Sequence, residues 1–426
     1  MLIKFKCSNF RSFKDEACLS MLPVNAYKEH PDNMAPVRPA GTNASGVLSA
    51  AAIYGANASG KTNLLRAMDF ARGIVLGQVP LGRGGARESF VYNAGEPSLF
   101  AFSVLLGDTR FNYEFVIDDR GVIRETLRSQ PKSEKLVFER YLSDDGAYEV
   151  KQGSTYSGIS SRLKGFTDNG LVIELLSKFG IVDCATVFDW FVDGLRVYDH
   201  AQPVDYGILL EKLKDLGEDG FSKAVAAVKS ADLGITGAQL AVSDLTDEER
   251  ETQRVATDKV KAIFEALTGK DIEEIKPSDK KITFQFQHVI AGRRIGFGFE
   301  DESLGTVTML NLAADFLDAI AEGKTLVIDE VERSLHPILL RNLVSLFFDR
   351  QLNSKNAQLI FTTHDLSIMD GDFMRRDQFW FVEKGSQEGA SELYPLSAYS
   401  PRKDDNILNR YLYGAYGAVP FIEEVL

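Results

Sequence analysis

The stretch VLSAAAIY at 47–54, followed by GANASGKT at 55–62, decides the fold. The first eight residues are apolar, as expected of a strand buried on both faces of a parallel sheet. Gly55, Ala56, Asn57, Ala58, Ser59, Gly60, Lys61 and Thr62 then satisfy the spacing G-x-x-x-x-G-K-[ST]. Glycines at those two places let the backbone curl until successive N–H groups converge on phosphate oxygens. Leu64, Leu65, Met68 and Ala71 follow at the spacing of one helix face, so a helix would turn its positive N-terminal end to the same anion. Lys61 is placed to reach the β- and γ-phosphates, and the Thr62 hydroxyl to ligate Mg²⁺.

Working outward, Phe100, Phe102, Val104 and Leu106 alternate, as do Phe111, Tyr113, Phe115 and Ile117, with Gly107 and Asp108 between them. That predicts an antiparallel hairpin, to which 122–127 adds a third strand. Upstream, alternation over 3–13 and 16–21 predicts two more strands. The segment 130–275 reads as mixed and mainly helical; within it, Thr246 and Glu249 form a capping-box pattern before Val260, Ile263, Phe264 and Leu267. From residue 281 alternation returns, and TLVID at 325–329 and QLIFTTH at 358–364 read as buried strands. The expected fold class is α/β: a parallel sheet with helices on both faces, an antiparallel β lobe and a mainly helical insertion.

Thr325 to Ile328 run into Asp329 and Glu330. A carboxylate ending a buried strand is costly unless paired, and Mg²⁺ is the natural partner of Asp329. Glu330, one residue further on, is placed to polarise an attacking water. Lys61 and Asp329 must meet at one ion although 268 positions separate them. The chain therefore reads as one head split by an insert: 1–129 and 276–426 form the head, and 130–275 the inserted lobe.

The 426 residues carry 48 Lys+Arg against 61 Asp+Glu, a net charge of −13, with 44% apolar residues. That excludes a disordered chain and a surface coated in basic groups for duplex DNA. A local basic contact with nucleic acid is left open by Lys280–Lys281 and Arg293–Arg294, which are read as meeting across a hairpin. No apolar run approaches the roughly 20 residues of a membrane span, and no signal-peptide block opens the chain. Cys7, Cys18 and Cys184 match no metal-ligand spacing and read as buried thiols, so a cytoplasmic protein is expected.

The order of pieces resembles the ABC-class ATPases, which include the SMC, RecF-like and OLD-type proteins. More closely, the chain is similar to the RloA-like "AAA15" group of that class. The resemblance rests on NFRSF (9–13), YGANASGKTNLL (54–65), ESLGT (302–306), VIDEVERSLHP (327–337), QLIFTTHD (358–365) and YLYGAYGAVPFI (411–422). It implies that Gly55, Asn57, Ala58, Ser59, Gly60, Lys61, Thr62 and Asn63 hold ATP, with Thr62 and Asp329 on Mg²⁺. It implies a signature segment in which Ser303, Gly305 and Thr306 touch the nucleotide of another protomer, so that sites are composite and the protein pairs with itself. His364 would be the switch histidine, beside Lys61 and Glu330 in catalysis, and 332–335 would face the dimer seam. Two departures are plain: the signature has one glycine where many relatives have two, and no glutamine is placed to serve as a Q-loop ligand. By the same resemblance the protein is a sensor or scaffold in bacterial phage defence, controlling a separate nuclease or toxin. A recombination or repair ATPase acting on DNA is the other reading.

Overall fold

The computed structural model describes residues 1–82, 87–166, 169–199, 203–231, 234–268, 280–333, 335–386 and 388–420. In chain order, β1 (Leu2–Ser8), β2 (Ala17–Ser20), β3 (Met34–Ala35), β4 (Val47–Leu48) and β5 (Ala50–Tyr54) precede the helix Lys61–Val75. Next come β6 (Ser98–Leu106), β7 (Thr109–Asp118), β8 (Gly121–Gln130), β9 (Lys135–Leu142) and β10 (Tyr148–Gln152), then three short helices and β11 (Leu195–Asp199). β12 (Ile235–Asp244), β13 (Lys280–Ile290) and β14 (Arg293–Phe297) lead to the helix Leu304–Glu322. β15 (Thr325–Asp329), β16 (Gln358–Thr362), β17 (Phe379–Lys384) and β18 (Ser391–Pro395) follow.

The chain divides into two compact units, 1–202 with 319–426, and 203–318. In the first, a six-stranded sheet runs in the order β11-β15-β16-β5-β17-β18, parallel throughout except for the β17–β18 pair. Every residue of β5 and β16 is buried, which is why β5 reads as an unbroken apolar run and β16 as an apolar stretch between two buried polar residues, Gln358 and Thr362. A seven-stranded antiparallel sheet runs β10-β9-β8-β7-β6-β1-β2. This is the expected α/β architecture: a parallel core sheet plus an antiparallel β lobe. Gln358, fully buried, stitches the two sheets together. Its Oε1 accepts from Leu2 N at 2.5 Å, and its Nε2 donates to Leu2 O at 2.9 Å and Leu48 O at 3.0 Å.

The observed boundaries differ from those expected at 130 and 275. β9 and β10 extend the antiparallel sheet, and β11 pairs in register with β15, so residues up to 199 belong with the head. The separate unit is instead 203–318, built on the three-stranded sheet β12-β13-β14 and the helices Tyr206–Asp215, Gly217–Ala231 and Asp247–Thr268. The Thr246 capping box is present: Glu249 N donates to Thr246 Oγ1 and Thr246 N to Glu249 Oε2. The side chains of Val260, Ile263, Phe264 and Leu267 lie outside the described residues.

The two basic pairs do not meet. The turn at Ala291–Gly292 sets Arg293 opposite Ile290 and Arg294 opposite Val289, whereas Lys280 and Lys281 pair with Asp244 and Ser243 at the other end of β13. About 30 Å of strand separates them at ~3.3 Å per residue, and Lys281 is engaged by Glu249. The single phosphate-binding patch that the sequence left open there is not formed.

In the β lobe, fully buried Glu125 on β8 accepts from Tyr113 Oη at 2.8 Å, Val172 N at 2.8 Å and Ile173 N at 3.2 Å. Burial pushes its carboxyl up to about 7, against the pull of these hydrogen bonds and of Arg140. A carboxyl raised in the folded state stabilises most below its unfolded value of 4.5, and that stability is lost as pH rises through about 7. The melting temperature should therefore fall across this window. Glu125→Gln, which mimics the protonated form, should flatten the fall in a thermal-melt series; an unchanged slope would refute the assignment.

Candidate functional site

Parallel strands in this register deliver their C-terminal ends to one edge of the sheet. Phe381 aligns with Tyr54, Thr362 with Ile53, and Ile328 with Phe361. The residues that leave that edge are the phosphate loop after β5, Glu330 after β15, His364 after β16 and Lys384 at the end of β17. They line one cleft of about 320 Å³, together with Asn57, Ala58, Ser59, Gly60, Lys61, Thr62 and Asn63.

The loop is locked by close approach. Gly60 has φ +113°, and a Cβ there would lie 2.3 Å from Ser391 Oγ and 2.8 Å from Ser12 Oγ. Ser391 Oγ donates to Ser59 O at 2.5 Å, Ser391 N to Ser12 O at 2.7 Å, and Asn63 Nδ2 to Ser12 Oγ at 2.8 Å. The β1–β2 turn and the start of β18 therefore clamp the loop from behind. Lys61 Nζ donates to Gly55 O at 2.8 Å and Ala56 O at 3.2 Å, folding back across the cradle. Burial lowers its pKa, opposed by Asp329, Glu330 and Glu332. Ser59 Oγ is buried and has no hydrogen-bond partner among the described residues. A curled loop, a lysine across it and an orphaned hydroxyl fit a polyphosphate, which supplies the acceptors and the negative charge these groups call for.

Thr362, fully buried, organises the acidic strand end. Its Oγ1 donates to Asp329 Oδ1 at 2.5 Å and accepts from Glu330 N at 2.7 Å. Glu330 has φ +47°, a left-handed conformation that is unfavourable for a non-glycine residue and turns its exposed side chain into the cleft. Thr62, half-buried, and Asp329 supply the hydroxyl and carboxylate oxygens that suit Mg²⁺. His364 N donates to Glu332 Oε1 at 2.6 Å. Burial, then the nearby Lys61 charge, holds the His364 imidazole below its usual pKa despite the surrounding carboxylates. A neutral ring can accept one proton or donate one hydrogen bond to a phosphate.

Sequence reasoning missed Lys384, Thr362 and the Ser12–Ser391 clamp, and it read Glu332 only as part of a dimer-seam segment, not as the acceptor for His364 N. Lys384 was within reach, because it ends a strand that runs parallel to β5. The NFRSF motif, by contrast, was visible but its job was not. Asn9 Nδ2 donates to Asn93 O at 3.0 Å and Glu96 O at 2.6 Å, while its Oδ1 accepts from Phe90 N at 3.0 Å. Asn9 thus shapes the loop ahead of β6, and Arg11, ion-paired with Glu88, lines a second cleft that shares Asn63 and Lys384 with the first. His336 caps the helix Pro337–Ser345 through Nδ1, which accepts from Ile338 N. His200 and Ser334 lie outside the described residues.

Ser303, Gly305 and Thr306 belong to the other compact unit. Ser303 Oγ accepts from Thr306 N at 3.1 Å and bonds Thr306 Oγ1 at 2.8 Å, capping the helix Leu304–Glu322. Leu304, 66% exposed, and exposed Ser303 form the tip of that helix. By length and composition this helix is apolar enough to cross a membrane, but 72% of its apolar window is buried in the protein, as for a core helix.

The family described as "AAA domain, putative AbiEii toxin, Type IV TA system" matches residues 50–152 and 203–370. Among solved structures, the SMC head domain from Thermotoga maritima is similar at 12% identity and a TM-score of 0.37, covering 92% of this chain and 98% of that one. An SmcHead bound to the C-winged helix domain of ScpA gives 13% and 0.41, covering 94% and 99%. A Smc head with an extended coiled coil, bound to the C-terminal domain of ScpA from Pyrococcus furiosus, gives 12% and 0.35, covering 94% and 97%. No curated protein matches the chain.

Proposed function

We propose that this chain, which belongs to the AAA-domain family whose description names the AbiEii toxin of a Type IV TA system, binds and hydrolyses ATP at composite sites closed by a second copy of itself. The observation that carries this reading is the convergence of the phosphate loop, Glu330 and His364 on one cleft. The backbone from Gly55 through Gly60, with Asn57, Ala58 and Ser59, cradles the triphosphate; Asn63 stands at its flank and Lys61 reaches the terminal phosphates. Thr62 and Asp329 hold Mg²⁺, which when bound neutralises charge on the phosphate oxygens. Glu330 takes a proton from the attacking water, and His364 hydrogen-bonds the γ-phosphate or that water. Arg11 and Ser12 line the adjoining cleft, which shares Asn63 and Lys384 with the first and would take the nucleoside on this reading. Ser303, Gly305 and Thr306 grip the partner copy's γ-phosphate with a hydroxyl and the N-terminus of a 19-residue helix.

The biological reading is a switch of the RloA-like defence group, in which the nucleotide state of the pair controls a separate nuclease or toxin. The family description, naming a toxin system, supports it. A concentration series tests the chemistry. With Mg-ATP, phosphate release per chain should rise with chain concentration as pairs form, and Ser303→Ala should lower the plateau about 100-fold, the usual cost of one transition-state donor. A rate per chain independent of concentration and untouched by Ser303→Ala would establish a single-head site instead.

A further inference from the structure

We propose that His288 is a positioning residue for the signature segment, aiming Ser303 at a partner's nucleotide by holding Glu302. The inference rests on the composite-site reading above. His288 stands on β13, and its Nε2 hydrogen-bonds Glu302 Oε1. Glu302 immediately precedes Ser303. The two side chains are 17% and 8% exposed, so the pair is shielded from water although Ser303 beside it is exposed.

The rest of the segment is pinned to the same sheet. Phe297 meets the His288 ring edge-on at 4.9 Å, and Phe299 stacks on Phe284 at 4.6 Å with 11° between planes. Phe286 packs on Phe284 and Phe299 in turn. A rigid aromatic base with an exposed hydroxyl at its tip is what aiming a donor requires. Within this base the charged contact is His288 to Glu302, and it fixes the backbone one residue from the donor.

Its loss has a specific chemical consequence. Glu302 would be left as a carboxylate one residue from a helix N-terminus, whose free N–H groups attract anions. Freed from His288, it can turn onto those amides and compete with the phosphate they are meant to receive. His288→Ala should therefore lower turnover by about tenfold, the rate equivalent of one charge-assisted hydrogen bond. Binding of a fluorescent ATP analogue to the variant's own phosphate loop should stay within about twofold, because that site does not use Glu302 of the same chain. His288→Gln, which can still donate to the carboxylate, should recover most of the rate.

Mixing full-length variants decides the matter. Alone, His288→Ala is slow and Lys61→Ala is inactive. In a mixed pair, the His288→Ala chain contributes a sound phosphate loop and the Lys61→Ala chain a sound signature, so one complete site forms. An equal mixture should then exceed the summed rates of the two variants assayed alone, with about a quarter of the wild-type rate as the value reached if chains pair at random, half the pairs being mixed with one good site each. No recovery by a His288→Ala chain that melts as the wild type does, when a Ser303→Ala plus Lys61→Ala mixture does recover, would overturn the role of His288 alone. Glu302→Gln added to His288→Ala is the second probe: with no freed carboxylate left to compete, it should restore part of the rate, and a rate no higher than that of His288→Ala would overturn the competition. If Ser303→Ala fails to complement as well, the composite-site reading itself falls.

Discussion

Lys61→Ala should abolish nucleotide binding while leaving the fold intact. Lys61 is 6% exposed, and among the described residues its ammonium is tied to the carbonyls of Gly55 and Ala56, groups a triphosphate displaces without loss of hydrogen bonding. Asp329, Glu330 and Glu332 all act on it electrostatically. Removing this cation leaves Glu330 and exposed Lys384 as the charged side chains on the lining, with the Asp329 and Glu332 carboxylates near by and no longer offset by Lys61. Loss of the charge-assisted contact alone is worth about 3 kcal/mol, or roughly 100-fold in affinity, before the added repulsion is counted. Lys61→Arg should not rescue it, because a planar guanidinium cannot fold back over the curled loop as an ammonium does. A circular-dichroism melt close to that of the wild type checks that the fold is intact. A second effect follows in the same variant. Because the Lys61 charge helps hold the His364 imidazole below its usual pKa, the histidine should titrate higher once that charge is gone. Titration of the ring by NMR checks this, and an unmoved His364 would mean that the two groups are not electrostatically coupled.

How much of this was legible in the sequence follows from what each signal depends on. The phosphate loop and the acidic strand end were readable because phosphate chemistry constrains consecutive residues, and both strands are buried on two faces. The limits of the insert were not readable. β11 gains its place by pairing with β15, 130 positions later, and a five-residue strand carries no local mark of so distant a partner. β10 alternates only between half-buried and exposed positions over five residues, with none buried, so its membership of the lobe sheet was nearly as hidden. The separation of Lys280–Lys281 from Arg293–Arg294 is a different case. A two-residue turn at Ala291–Gly292 already requires Arg293 to face Ile290, so the sequence contained the contradiction. The His288–Glu302 contact lay beyond reach, because it depends on how an aromatic cluster folds a short helix back onto β13. Motifs were thus visible wherever neighbours in sequence make the site. What escaped was the support behind them: Thr362 beneath the carboxylates and Ser391 behind the loop.

Glu330→Gln should arrest the cycle after binding. The residue is held in a left-handed conformation, and its N–H is fixed on Thr362 Oγ1 at 2.7 Å, so its carboxylate is aimed by backbone geometry and glutamine should occupy the same place. The substitution removes a proton acceptor and a negative charge together. Losing the acceptor should slow hydrolysis by about 10²–10⁴-fold, the range spanned by positioned general bases. Losing the charge should leave ATP affinity equal or higher, since a triphosphate no longer faces Glu330. Slow chemistry with undiminished binding predicts that ATP-bound pairs accumulate, seen by light scattering as a doubling of mass with ATP and none with ADP. Ser303→Ala in the Glu330→Gln background should dissolve those pairs, because the grip on the partner's phosphate is then lost from a complex that cannot hydrolyse. Unaltered turnover in Glu330→Gln would remove Glu330 from the chemistry. Slow turnover without ATP-dependent pairing would keep Glu330 as the base but confine the reaction to a single head. A pair that Ser303→Ala fails to dissolve would place the seam elsewhere than the signature helix, and with it the surface through which nucleotide state reaches a partner.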